Sequence, residues 1–102
     1  DYAKVGVMIM NNGMVGDKHI IDANWVKRLA TPVVTLDDNW GYGAYMWHPF
    51  PDTSTMDGLH GQYVFIDPKT RTVIVKLSDV PTAQNLAVPT MEVFKAISNK
   101  QN

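Results

Sequence analysis

The stretch Leu59-His60-Gly61-Gln62-Tyr63-Val64-Phe65-Ile66-Asp67-Pro68-Lys69-Thr70-Arg71-Thr72-Val73-Ile74-Val75-Lys76-Leu77 decides the fold. Its centre, Asp67-Pro68-Lys69-Thr70, carries a type I turn signature, with Asp at the first position and proline presetting φ at the second. Leu59 to Ile66 before it and Thr72 to Leu77 after it are rich in β-branched and aromatic residues. Two such runs around a tight turn predict an antiparallel hairpin.

Upstream, Trp40 to Trp47 alternates aromatic with small residues and reads as one more strand, suited to close approach on one face. His48 to Thr55, with two prolines, reads as a loop. Residues Asp1 to Asn12 read as a helix, with Tyr2, Val5, Met8 and Ile9 at helical spacing. Its wide apolar surface predicts that most of it is buried. Asp1 is placed to cap it, and Asn11-Asn12-Gly13 to stop it with Gly13 in the left-handed position. Met14 to Ile21 is a connection turning at Gly16-Asp17. Asp22 caps a helix from Ala23 to Ala30, with Trp25, Val26 and Leu29 apolar and Lys27 and Arg28 favouring its C-terminal dipole. Thr31-Pro32 ends it. Val33 to Asn39 is a loop with Asp37-Asp38-Asn39 at its tip, and Ser78 to Pro89 is another. Thr90 caps a last helix, Met91 to Asn99, with Val93, Phe94 and Ile97 on its buried side. The result is an α+β class, an antiparallel sheet flanked by helices.

The 102 residues make one unit, 1–102, whose 45% hydrophobic content suffices for a core. The charged fraction, 19%, is below the roughly 25% of an average soluble domain, as expected for a piece that is covered by something larger. The start, inside an amphipathic helix and without a leader, predicts an internal or C-terminal fragment that needs its missing part or associates with itself. A net charge of −1 argues against nucleic acid as a partner, and no apolar run approaches the ~20 residues of a membrane span. There is no cysteine, so disulfides, thiolate metal sites and cysteine nucleophiles are excluded and the compartment stays open.

Three residues after Ser54, Ser78 and Ser98 stand Asp57, Pro81 and Gln101, so no Ser-x-x-Lys is present. No serine lies on a Gly-x-Ser-x-Gly elbow. His19, His48 and His60 have no ligand-like spacing, and neither a metal nor a cofactor is implied. The chemistry-bearing candidate is Asp57-Gly58-Leu59-His60-Gly61-Gln62-Tyr63, where glycines flank Leu59-His60 at the start of a strand. By spacing alone this is either a site on a sheet edge or a half-exposed histidine beside a kink.

At these residues the chain resembles the C-terminal part of the β-lactamase-related serine hydrolases. These include class C β-lactamases, D-alanyl-D-alanine carboxypeptidases, family VIII-type esterases and 6-aminohexanoate-dimer hydrolases. Blocks occur in the family's order: Asp1-Tyr2-Ala3-Lys4-Val5-Gly6 through Asn12-Gly13, Ile20-Ile21-Asp22 through Thr31-Pro32, Trp40-Gly41-Tyr42-Gly43, His60-Gly61-Gln62, then Tyr63 to Pro68 and Val73 to Leu77. Gly58-Leu59-His60-Gly61-Gln62-Tyr63 is most similar to the 6-aminohexanoate-dimer hydrolase and esterase-like branch.

The resemblance implies part of a β-lactamase/transpeptidase-like fold and hydrolysis of an amide, ester or β-lactam through an acyl-enzyme, with no cofactor. Of the family's three motifs only the third, (Lys/His)-small-Gly, has a counterpart. His60 takes the first position, Gly61 the second, and Gln62 stands where Gly is usual. The resemblance makes His60 catalytic, Gly61 and Gln62 substrate-binding, and the Tyr63 main-chain N–H, or that of Gln62 if the alignment slips, the second oxyanion donor. The rival expectation is a non-catalytic binding module on the same scaffold.

Overall fold

The computed structural model describes residues 1–36, 40–81 and 86–101. The expected loop tip Asp37–Asn39 and residues 82–85 of the second expected loop lie outside them. The elements are α1 (Tyr2–Met10), β1 (Met14–Val15), β2 (Lys18–His19), α2 (Ala23–Leu29), β3 (Val34–Thr35), β4 (Gly41–Gly43), β5 (Met46–His48), β6 (Ser54–Asp57), β7 (Tyr63–Asp67), β8 (Thr72–Lys76) and α3 (Ala87–Asn99). β3 to β8 form a six-stranded antiparallel meander in chain order, and β1 and β2 a separate hairpin. This is the α+β architecture expected.

Strand alternation gives the sheet two covered faces. Val64 and Ile66 of β7 join Ile9, Val26 and Met46 in a cluster under α1 and α2. Tyr63 and Phe65, which alternate with them along the strand, join Trp40, Met91 and Phe94 under α3. A strand buried on both faces reads as a continuous apolar run, which is what made 63–66 legible. α3 is also tied down by charge. Asp67, at the end of β7, accepts from Lys95 Nζ at 2.9 Å and Ser98 Oγ at 2.7 Å.

Several expectations need correction. Trp40–Trp47 is two strands rather than one, because Ala44 and Tyr45 both have positive φ (51° and 66°) and close a two-residue turn. Ala-Tyr lacks the Asn-Gly chemistry that marks such a turn in sequence. The glycines do permit a close approach: a Cβ on Gly41 would stand 2.5 Å from Pro32 Cβ. The expected loop 48–55 contains the start of β6, which pairs with β7 over Ser54 to Asp57. The expected strand from Leu59 begins only at Tyr63, and residues 58–62 are a turn. The β7–β8 connection is Pro68 to Arg71, with Arg71 N–H donating to Pro68 O and Arg71 left-handed, one residue later than expected. Val34–Thr35, read as loop, is a short edge strand, and Met14–Ile21 holds the β1–β2 hairpin.

The helices shift too. α3 begins at Ala87 rather than Met91, because Pro89 is tolerated in a first turn where its missing N–H has no partner to lose. Met91, Phe94 and Ser98 face inward, whereas Val93 and Ile97 are exposed. On α1 only Gly6 and Ile9 are buried, so the helix lies on the sheet by one narrow face. Its left-handed C′ residue is Asn12, with Gly13 N–H closing back to Met8 O in a Schellman arrangement. Asp22 caps α2 as expected, accepting from Asn24 N–H at 2.7 Å. Trp25 is 53% exposed and carries Arg28 over its ring instead of facing the core. Among the described residues no helix is long and apolar enough to cross a membrane.

Candidate active site

The registers of β6, β7 and β8 place Asp57, Tyr63 and Lys76 side by side. All three side chains line a cleft of about 430 Å³ at the open end of the sheet, on the α3 face. Trp47, Gly58, Leu59, Gly61, Val80, Leu86 and Ala87 complete its lining. The row is anion, phenol, cation across three strands. Lys76 Nζ sits 5.9 Å from the centroid of the Tyr63 ring, within cation–π range. Burial, and after it the charge of Asp57, holds the Tyr63 phenol above its ordinary pKa, so it is a neutral donor at pH 7. Burial likewise raises the Asp57 carboxyl.

Beside the cleft, residues 58–62 form a tight turn bound to the segment after β8. Gly58 N–H donates to Gln62 O at 2.8 Å and Gly61 N–H to Gly58 O at 3.2 Å. Gly61 has φ +86°, and a Cβ there would meet Ser78 Oγ at 2.7 Å. Glycine is therefore required on both counts. The Gln62 amide bridges outward: its Oε1 accepts from His60 N–H at 3.1 Å and its Nε2 donates to Ser78 O at 2.6 Å. Ser78 Oγ donates to the main-chain oxygens of His60 and Gly61. Val80 N–H donates to His60 O at 3.0 Å, and His60 Nδ1 lies 3.1 Å from Val80 O. A carbonyl oxygen only accepts, so Nδ1 carries the proton and the neutral ring's acceptor is Nε2.

Of the four residues expected from sequence, the structure brings Gly61 and Tyr63 to the cleft wall. The His60 ring and the Gln62 amide turn instead to residues 78–80. The Tyr63 main-chain groups also differ from expectation. Gly58 and Gln62 form the hydrogen-bonded pair at this end of β6–β7, so by alternation Tyr63 N–H faces β8, opposite Lys76. Gln62 N–H has no acceptor among the described residues. Asp57, Lys76 and Trp47 were missed. Their signal lay in the strand register, since each reaches the site only through pairing.

His48 is buried, with Nδ1 3.0 Å from Thr53 O and 3.3 Å from Ser54 Oγ. This resembles a serine–histidine pair, but the Thr53 carbonyl makes Nδ1 a donor, so the ring cannot take the Ser54 proton at that nitrogen. Among the described residues no three His, Asp or Glu side chains gather as a metal site.

No family model matches the chain. It is similar to a 6-aminohexanoate-dimer hydrolase of Paenarthrobacter ureafaciens, 27% identical over 93 aligned residues. The match covers 79% of this chain, which spans about a quarter (24%) of that hydrolase's length. The comparison supports a hydrolase-like piece.

Proposed function

We propose that this chain supplies the substrate-side wall of an acyl-transfer hydrolase of the β-lactamase-related type, acting on an amide, ester or β-lactam bond. The observation that carries this reading is the cleft over Asp57, Tyr63 and Lys76, edged by the glycine turn 58–61. Gly58 and Gly61 line its wall, and a Cβ on either would collide with Gln62 or Ser78. The nucleophile and its base would come from outside this chain, since none of its serines is followed at the third position by lysine. An oxyanion needs preorganised N–H donors. At the turn beside the cleft, Gln62 N–H has no acceptor among the described residues, whereas Tyr63 N–H faces β8. His60 then acts as a positioning residue that holds the turn against residues 78–80.

The experiment is a titration of the isotope-labelled chain, followed by NMR, with a neutral secondary amide, an alkyl ester and a penicillin. The amides of Gly58, Gly61 and Gln62 and the Trp47 indole should shift together while β1 and β2 stay still. Absence of those shifts with all three probes would overturn the reading. The same sample should not turn over the ester. Turnover blocked by a serine-directed inhibitor would put the nucleophile inside this chain and reject the division of labour.

A further inference from the structure

Among the described residues, one buried side-chain nitrogen is left without a hydrogen-bond partner: His48 Nε2. The residue is 5% exposed. It ends β5, and by strand alternation it shares the face of Met46, under α2, while Trp47 between them belongs to the face of the candidate cleft. Its ring is held in one orientation. Nδ1–H donates to Thr53 O at 3.0 Å, which leaves Nε2 of the neutral ring as an acceptor and nothing else. Thr53 is fixed in turn, because its Oγ1 accepts from Phe50 N–H at 3.1 Å and donates to Phe50 O at 2.9 Å.

His48 also lines a cavity of about 390 Å³ between the segment after α2 and the turn 49–53. The cavity shares no lining residue with the cleft over Tyr63, and its volume falls within the range of small-ligand sites. Ala30, Pro32, Pro49 and Pro51 give it apolar walls, and Asp52, which is exposed, completes the turn side. Pro32 and His48 meet over Gly41: a Cβ there would stand 2.5 Å from Pro32 Cβ and 3.3 Å from His48 Cβ. Nε2 lies within this wall, so a ligand reaches it by pressing wall atoms aside. Pro32 and Pro51, both exposed, have room to move outward. A buried acceptor without a donor destabilises the protein that carries it, and a ligand that brings one donor removes that deficit on binding.

We propose that this cavity is a second binding site, for a compact neutral molecule that is apolar apart from one O–H or N–H donor, which His48 Nε2 accepts. The class follows from the lining. Nε2 accepts and does not donate, so a ligand without a donor leaves it unmet. The alanine and proline walls match an apolar body, and a charged one would lose its water against them. The site is independent of the hydrolase reading, since it lies on the other face of the sheet.

The probe is phenol, with anisole and toluene as controls that keep the ring and lack the donor. Nitrogen-detected NMR of the imidazole and of the main-chain amides is the readout. Phenol should move the His48 Nε2 signal and the amides of Phe50, Asp52 and Thr53 saturably, while those of Gly58 and Gly61 stay still. Anisole and toluene should bind roughly tenfold more weakly, the worth of one hydrogen bond to a buried acceptor. His48→Asn keeps a side-chain N–H for Thr53 O and has nothing at the Nε2 position, so it should weaken phenol by the same factor and leave toluene unchanged. Equal binding of the three probes, phenol shifts that leave the His48 nitrogen still, or no binding at all would overturn the proposal. All three are read on the parent chain, whether or not the variant folds.

Discussion

Replacing Asp67 by Asn should cost about 3 kcal/mol of stability at pH 7, and the deficit should fade in acid. The carboxylate is 1% exposed and receives three donors: Lys69 N–H on Oδ1, and Lys95 Nζ and Ser98 Oγ on Oδ2. An Asn keeps one acceptor but puts an NH₂ where Lys95 and Ser98 both donate. Breaking one partner of a buried ion pair costs about 3–5 kcal/mol. The Lys95 side chain is 27% exposed and can rehydrate, and Ser98 can still meet Thr70 Oγ1 at 2.5 Å, which argues for the lower end. With a urea slope of about 1–1.5 kcal/mol/M for a small domain, the midpoint should fall by about 2–3 M.

The pH dependence follows from opposed effects on Asp67. Burial alone would raise its carboxyl, but the Ser98 hydroxyl, the Lys95 ammonium and a main-chain N–H outweigh it and hold the pKa below its ordinary value. A carboxyl whose folded pKa is depressed contributes stability above its unfolded value, near 3.9, and loses it as pH falls through the folded value. The parent chain should therefore weaken below about pH 4 while Asp67→Asn, which has no proton to gain there, changes less. Urea midpoints measured from neutral pH down to about pH 3 should converge. A gap that stays constant across that range would show that Asp67 acts through shape rather than charge.

Two further outcomes are expected. Gly6→Ala should lower the thermal midpoint by an amount worth about 1–3 kcal/mol, because the new Cβ would sit 2.6 Å from Val73 Cγ1 and 3.2 Å from Val64 Cγ1, on stiff β-branched side chains. His60→Ala should cost about 1 kcal/mol, the worth of the Nδ1–Val80 bond; hydrogen exchange at residues 58–62 should accelerate, whereas a fall in ligand affinity with no change in exchange would restore His60 to the cleft.

The elements that were legible owe it to local chemistry. Tyr63 to Ile66 is apolar on both faces because α1 and α3 cover both, and Asp22 caps α2 through its own side chain. What was hidden depends on conformation or register. Ala44-Tyr45 adopts left-handed geometry without the residues that favour it. A turn at Asp67–Thr70 would have set Tyr63 opposite Ile74, whereas the observed pairing of Asp67 with Thr72 sets it opposite Lys76. That shift, of two residues in the partner strand, decides whether a cation reaches the cleft. Asp57 enters by the same route, through a strand whose first residues looked like a proline loop.

Gln62 stands where the family that the chain resembles usually has glycine, a change that bears on close approach to this strand. The geometry answers with a division of labour. Close approach is left to Gly58 and Gly61: a Cβ on the first would stand 2.6 Å from Gln62 Oε1, and on the second 2.7 Å from Ser78 Oγ. The space beside each glycine is filled by a polar side chain that fastens the turn. Gln62 does so at both ends of its amide, to His60 N–H and to Ser78 O, bonds that a glycine could not make. The turn therefore keeps bare main chain toward the cleft and its fastening away from it. Enlarging either glycine should displace Gln62 or Ser78 and loosen the turn, and with it the Gln62 N–H that the proposed oxyanion site uses.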